Sequence, residues 1–348
     1  MQNDQLCKLC NSAKASSIKS HIFSHFFIKS MLNPIGNSKR GIGRSFQMSG
    51  QGGTKTFFER NVSMKDYDRL FGGQELSEQQ LEELKMDPYS EPFILCIRCE
   101  KRMGIVEDYF NDNIYENIFA YDRLKNNISI QSENKNVIKL FFLSMIWRSS
   151  IARFDNFQIQ TTIEQRLKHL LNNSIGDDIE ETLKLSSAYE EEIEKEALFC
   201  ATASVFCDIT ANQILIDNTT EPYFFEINEY SVCYFGSVDN PSVNEDLFGL
   251  EKYISDDSIN QGNCQFKICI IENSDWNEKR NKIGQKKASE FVHSTKIDFY
   301  KKFVQVNKTK PTEAQVKAFI DDLIYGTETT VALRYSQERI DSLINKHT

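Results

Sequence analysis

Apolar residues crowd "NVIKLFFLSMIWRSSIARF" (136–154) so densely that no polar face is left. That pattern predicts a helix buried in the centre of the core. Upstream, "EKRMGIVEDYFNDNIYENIFAY" places apolar residues at 103, 106, 109, 110, 114 and 118, the spacing of one helical stripe. Residues 160–172 and 178–198 also carry helical patterns. Near 200 the texture changes. "NQILIDNTTEPYFFEIN" predicts two strands around an Asn-Thr-Thr turn, and "YSVCYFGSV" and "CQFKICIIE" predict further strands. Helix returns at about 284–305, and a last helix follows Pro311 with Thr312 as its cap.

The first 120 residues are less regular. Ser63 with Asp66, and Ser77 with Gln80, have the form of helix starts. "GNSKRGIGRSFQMSGQGG" (36–53) reads as a loop rich in glycine and base. The organisation expected is α+β with helices dominant. An N-terminal module (1–120) carries a large helical insertion, and an α+β domain (121–348) is mostly helical with a small β-rich C-terminal part.

The chain has 348 residues, 40% hydrophobic and 26% charged, enough for two domains. No stretch is long and apolar enough for a bilayer, and "MQNDQLCKLC" lacks the basic-then-apolar pattern of a signal peptide. A cytoplasmic protein without membrane association is the expectation. Charge is uneven. Residues 1–60 hold nine Lys/Arg and two acids, so +7. The whole chain is −9, which leaves −16 for the remainder (−9 less +7). A basic segment on an acidic body suits an anionic partner such as DNA or RNA, with Lys39, Arg40 and Arg44 as candidate phosphate contacts. A solvated N-terminal arm would show the same charges. The acidic half suits a protein partner.

Nine cysteines, an odd count, point to thiols or metal ligands rather than a disulfide framework. Cys7 and Cys10 form one C-x2-C pair, and Cys96 and Cys99 in "LCIRCE" form another. Two such knuckles can offer four thiolates at the corners of a tetrahedron, the geometry of structural zinc. Four buried free thiols that pair only by spacing are the alternative. The second knuckle opens a helix, where unpaired N–H groups favour a thiolate at Cys99. A first knuckle on a hairpin and a second at a helix start make a treble clef. His21 would lie on the hairpin, and Glu100 in the first turn of the facing helix. Cys200, Cys207, Cys233, Cys264 and Cys269 sit in apolar contexts without ligand spacing and are expected to be buried and inert.

C-x2-C, then a Ser-His step, then "LCIRCE" resembles the zinc-containing branch of the HNH, or ββα-metal, endonucleases. The resemblance implies that His21 is the general base that activates water and that Glu100 holds a catalytic Mg²⁺ or Mn²⁺. In that family an acid usually stands where Ser20 stands, a histidine where Glu100 stands, and the middle asparagine could be Asn33 or Asn37. "SHIFSHFF", "SEPFILCIRCEKRMGIVEDYF" and "LFFLSMIWRSSI" are also similar to blocks of a group of uncharacterised bacterial proteins. In that group Ser-His and Cys-Glu steps are the norm. This second likeness covers about residues 5–155. A nuclease of this type would suit defence against phage or self/non-self discrimination. The reading of another class is a non-catalytic zinc-stabilised scaffold that binds a protein.

Four further features have simple expectations. Glu107 lies two helical turns after Glu100, as a second ligand or a solvated acid. His25 would share a helical face with His21 if 20–31 were helical. Arg148 could reach the metal, a phosphate or a core acid. The acidic runs around 177, 189–196, 256 and 321 read as solvated faces.

Overall fold

A computed structural model describes residues 5–32, 45–48, 54–57, 89–117, 127–130, 132–204, 214–217, 221–227, 230–237, 247–326 and 337–348. The chain is α+β and divides into two compact units, each made of two stretches. One comprises 1–31 and 89–279, the other 32–88 and 280–348.

The first unit begins with strand β1 (Ser20–His21) and helix α1 (His25–Leu32). β1 pairs antiparallel with β4 (Ser90–Glu91), which leads to α2 (Ile97–Phe110). Next come β5 (Asn127–Ile130) and α3 (Ser132–Ile151), the latter followed by α4 (Thr161–Ser174). Every residue from 135 to 150 of α3 is buried, so the apolar density at 136–154 does mark a central helix. Its neighbours are α2, α4, α5 (Ile179–Ala188) and α6 (Glu190–Lys195). Ring packing joins α3 to α2: Phe110 stacks on Phe141 with centroids 4.0 Å apart.

The remaining strands are β6 (Ala197–Ala203), β7 (Ile214–Asp217), β8 (Tyr223–Ile227), β9 (Tyr230–Gly236), β10 (Ile259–Asn260) and β11 (Phe266–Ile271). They join β5 in one sheet ordered β5-β11-β6-β9-β8-β7, with β10 beside β6. Only β11 and β6 run parallel among these pairs. The strands expected at 214–236 and 266–271 are present. β6 is a correction, because the helical pattern over 178–198 predicts helix for its first residues. All seven of its residues are buried, so it shows no alternation to distinguish it from a buried helical turn. The β-rich part is also larger than expected and stands before the C-terminal helices, not at the end of the chain.

Helix α7 spans Asn273–Asn307, and its first turns belong to the first unit. There Lys279 is fully buried and bonds Glu226 of β8 at 2.8 Å, with its ammonium over the ring of Trp276.

The second unit contains a hairpin, β2 (Ser45–Met48) with β3 (Thr54–Phe57). The later turns of α7 meet α8 (Glu313–Tyr325) and α9 (Gln337–His347) around Phe291, Phe299, Phe319, Leu323 and Ile340. Phe299 stacks on Phe319 at 4.4 Å. Thr312 caps α8 in a complete capping box with Gln315, as its position after Pro311 predicts. The helix starts expected at Ser63 and Ser77 lie outside the described residues. Among the described residues no helix is long and apolar enough to cross a membrane.

Candidate metal centre

The first knuckle is shaped by its own main chain. Cys7 N–H donates to Ala13 O at 2.8 Å, Asn11 N–H to Cys7 O at 3.0 Å, and Ala15 N–H to Gln5 O at 2.9 Å. Asn11 takes φ of +55°, which asparagine tolerates better than most residues because its short side chain bonds locally. The second knuckle is a helix entry. Cys96 is the N-cap of α2 with extended backbone, and Glu100 N–H closes the first helical bond to Cys96 O at 2.9 Å. Cys99 therefore lies in the first turn, as its position in "LCIRCE" predicts.

Main-chain hydrogen bonds tie the two knuckles together. Lys8 N–H donates to Ile94 O at 2.9 Å, Ser16 N–H to Leu95 O at 2.8 Å, and Phe93 N–H to Ser16 O at 2.8 Å. Beside them, β1 and β4 pair Ser20 with Glu91 and His21 with Ser90.

The sulfurs of Cys7, Cys10, Cys96 and Cys99 consequently all lie within 4.8 Å of one another. Cys10 Sγ and Cys96 Sγ are 3.9 Å apart. A tetrahedral zinc–thiolate centre with bonds of about 2.3 Å has sulfur–sulfur edges of about 3.8 Å. The cluster has that size, and all four cysteines are free of disulfides. Cys7, Cys96 and Cys99 are buried and Cys10 is half-buried, the closed surroundings of a structural ion. The thiols already compete for protons. A hydrogen bond from Cys99 holds the Cys7 thiol down to about 4, and the same contact pushes Cys99 up. A divalent ion would resolve that competition by replacing protons on all four.

His21 is on β1, half-buried, with its carbonyl turned to the interior. Arg148 Nη1 donates to that carbonyl at 2.7 Å, and Arg148 Nη2 bonds Glu107 Oε1. Glu107 is therefore an ion-pair partner of α3, neither a solvated acid nor a free metal ligand. His25 starts α1 instead of sharing a helix with His21, yet the two rings meet with centroids 5.7 Å apart. Ser20 is 2% exposed. Glu100 is half-buried, and its Oε2 is buried without a hydrogen-bond partner. Among the described residues the four cysteines are the one metal-sized group of three or more His, Cys, Asp or Glu. His21 and Glu100 are not brought into such a group. Lys39, Arg40, Arg44, Asn33 and Asn37 lie outside the described residues.

No protein-family profile, curated protein or solved structure matches this chain.

Little in the sequence pattern foreshadows what anchors α2. Arg102 is 9% exposed and donates through Nε to Ile175 O at 2.8 Å, capping the C-terminal end of α4. Arg98 pairs with Asp177 at 2.7 Å on the surface. Arg148 holds α2 from the side of α3. Thus α2, with two of the four sulfurs at its start, is held to its neighbours by arginines. The signal available was an arginine in the most apolar helix, where a charge must find a partner.

The other cysteines divide. Cys200, Cys233 and Cys269 are buried in the sheet, and burial raises their thiols, Cys233 to about 12 and Cys269 to about 11. Cys264 is exposed, contrary to expectation, because it precedes β11 in a loop. Cys207 lies outside the described residues. The acidic runs are mostly exposed, as expected, with Asp177, Glu190, Glu191, Glu192, Asp256, Asp257 and Asp321 open to solvent. Glu196 is the exception, 0% exposed and bonded to Arg166 and Tyr234.

Proposed function

We propose that Cys7, Cys10, Cys96 and Cys99 hold a structural zinc ion in a treble clef of the HNH type. The module would be a metal-dependent nuclease, with His21 as general base and Glu100 as a ligand of Mg²⁺ or Mn²⁺. The observation that carries this reading is the buried, unpartnered Oε2 of Glu100, one residue after the last cysteine. An unsatisfied carboxylate oxygen costs about 1–3 kcal/mol, and a hard divalent ion at that oxygen would offset the cost. A histidine near neutrality could take a proton from water, and the bound cation would supply charge neutralisation at phosphate. Lys39, Arg40 and Arg44 are proposed to contact the backbone of DNA or RNA.

A non-catalytic zinc scaffold is the second reading. Buried Ser20 supplies no carboxylate beside His21, and no second metal-sized group occurs among the described residues. In that reading the acidic remainder of the chain binds a protein partner. Cleavage of plasmid DNA and of RNA with Mg²⁺ or Mn²⁺ separates the two. The nuclease reading expects metal-dependent cutting that His21→Ala and Glu100→Ala both abolish. Cutting that survives in both variants rejects those roles. Absence of cutting from zinc-loaded wild type favours the scaffold.

A further inference from the structure

A cleft of about 290 Å³ opens beside the first knuckle. Its walls are Lys8 and Asn11 of the knuckle, Trp147 of α3, Arg153 just beyond that helix, and Glu164 and Lys168 of α4. Three cations face one carboxylate, a surplus of +2 in a chain whose net charge is −9. The site is built, not a chance patch of surface lysines. Lys8 Nζ donates to Ile151 O at 2.8 Å, which fixes the ammonium at the carbonyl end of α3 and leaves its other protons free. That cation also offsets the negative end of the helix dipole, which would otherwise oppose an anion there. Arg153 has left-handed backbone (φ +51°), stands two residues beyond the last residue of α3, and is exposed. Glu164 is engaged internally, since Ser150 Oγ donates to its Oε2 at 2.7 Å and accepts from Ile159 N–H at 3.2 Å. The indole Nε1 of Trp147, a cleft-lining residue that is 0% exposed, has no hydrogen-bond partner.

We propose that this cleft is a phosphate-binding site. It takes a phosphoryl group carried by a mononucleotide or by a polynucleotide backbone. The surplus of cationic donors selects an oxyanion. The volume is at the small end of ligand clefts (roughly 300–1,000 Å³), which suits a phosphate and its sugar better than a larger molecule. The proposal does not depend on catalysis at His21 and Glu100, because it concerns binding without added Mg²⁺ or Mn²⁺.

The test is titration of the zinc-loaded full chain with adenosine monophosphate and, separately, with a short single-stranded oligonucleotide. Intrinsic tryptophan fluorescence, to which Trp147 and Trp276 both contribute, and calorimetry serve as readouts. Saturable binding of either probe should weaken about tenfold in Arg153→Gln and in Arg153→Gln/Lys168→Gln, as loss of charge-assisted contacts predicts. Lys317→Gln, an equal charge change on the exposed side of α8, should leave it unaltered. Binding of the monophosphate identifies a free nucleotide as a source, and binding of the oligonucleotide alone identifies the backbone. Thermal unfolding of each variant checks that weaker binding is not loss of fold. No saturable binding of either probe to wild type overturns the proposal, as does an equal loss in Lys317→Gln. Failure of cleavage with intact probe binding would reject the nuclease reading alone.

Discussion

Arg148 donates from Nη1 to the main-chain carbonyl of His21 at 2.7 Å, across 127 residues of sequence. The same guanidinium bonds Glu107, so one side chain of α3 joins β1 to α2. It thereby sets where the first imidazole stands relative to the helix that carries Cys99 and Glu100. Arg148 is a positioning residue, and it is almost wholly buried.

Arg148→Met should therefore leave the Glu107 carboxylate without its counter-ion and the His21 carbonyl without its donor. A loss of about 3–5 kcal/mol is expected for breaking one side of a buried pair. Urea unfolding of Arg148→Met, Glu107→Gln and the double variant measures it. The double variant should be less destabilised than the sum of the two single changes. Simple additivity would show that the contact is energetically idle.

Metal analysis of purified protein should give one zinc per chain. Cys10→Ser and Cys99→Ser should each lower the content well below one. Structural zinc in small modules contributes about 10–16 kcal/mol of apparent binding energy at neutral pH. Chelation should consequently unfold the region of the knuckles, seen as loss of α2 amide protection in hydrogen exchange. Full protection in metal-free protein would contradict a zinc-dependent fold.

Lys279 and Glu226 form a pair with side chains 1% and 0% exposed. Lys279→Met should destabilise by about 3–5 kcal/mol, because the carboxylate stays buried without its cation. Adding Glu226→Gln should recover part of that loss. Denaturant midpoints at constant m-value decide the matter.

Lys139 gives a prediction with a sign fixed by burial. Desolvation lowers its ammonium to about 8, against opposing attraction from Glu194. A lysine whose folded value lies below its unfolded value of about 10.4 binds fewer protons when folded within that window. Its contribution to stability therefore improves as pH rises from about 8 to 10.4, and its penalty is full below 8. Lys139→Met should be more stable than wild type at pH 7, and the difference should shrink by pH 10. A constant difference would mean that the amine stays charged throughout.

Some of this is legible in the sequence because local chemistry dictates it. The spacing of Cys7 with Cys10 and of Cys96 with Cys99 requires only short turns, and both knuckles form as expected. Thr312 and Gln315 satisfy each other within one helical turn, so α8 begins where the sequence places it. The apolar density of α3 has no other stable location than the interior. β6 escapes detection because a strand covered on both faces has no period of two. Glu107, Arg102 and Lys279 escape it for a different reason. Their partners are 41, 73 and 53 (279 − 226) residues away respectively, and no local pattern names them. Glu100 can be singled out only through likeness to the HNH pattern, since nothing in its spacing marks an unpartnered oxygen.

The bonds of Lys8 with Ile94, of Ser16 with Leu95, and of β1 with β4 close the chain upon itself at one narrow neck. Residues 33–88 form the excursion in sequence between the two sides of that contact. The entropy of closing such an excursion grows only logarithmically, about 0.6 kcal/mol for each doubling of length. The four sulfurs sit at the base of that closure, so an ion bound by them would hold together two stretches that the chain brings back from far apart in sequence.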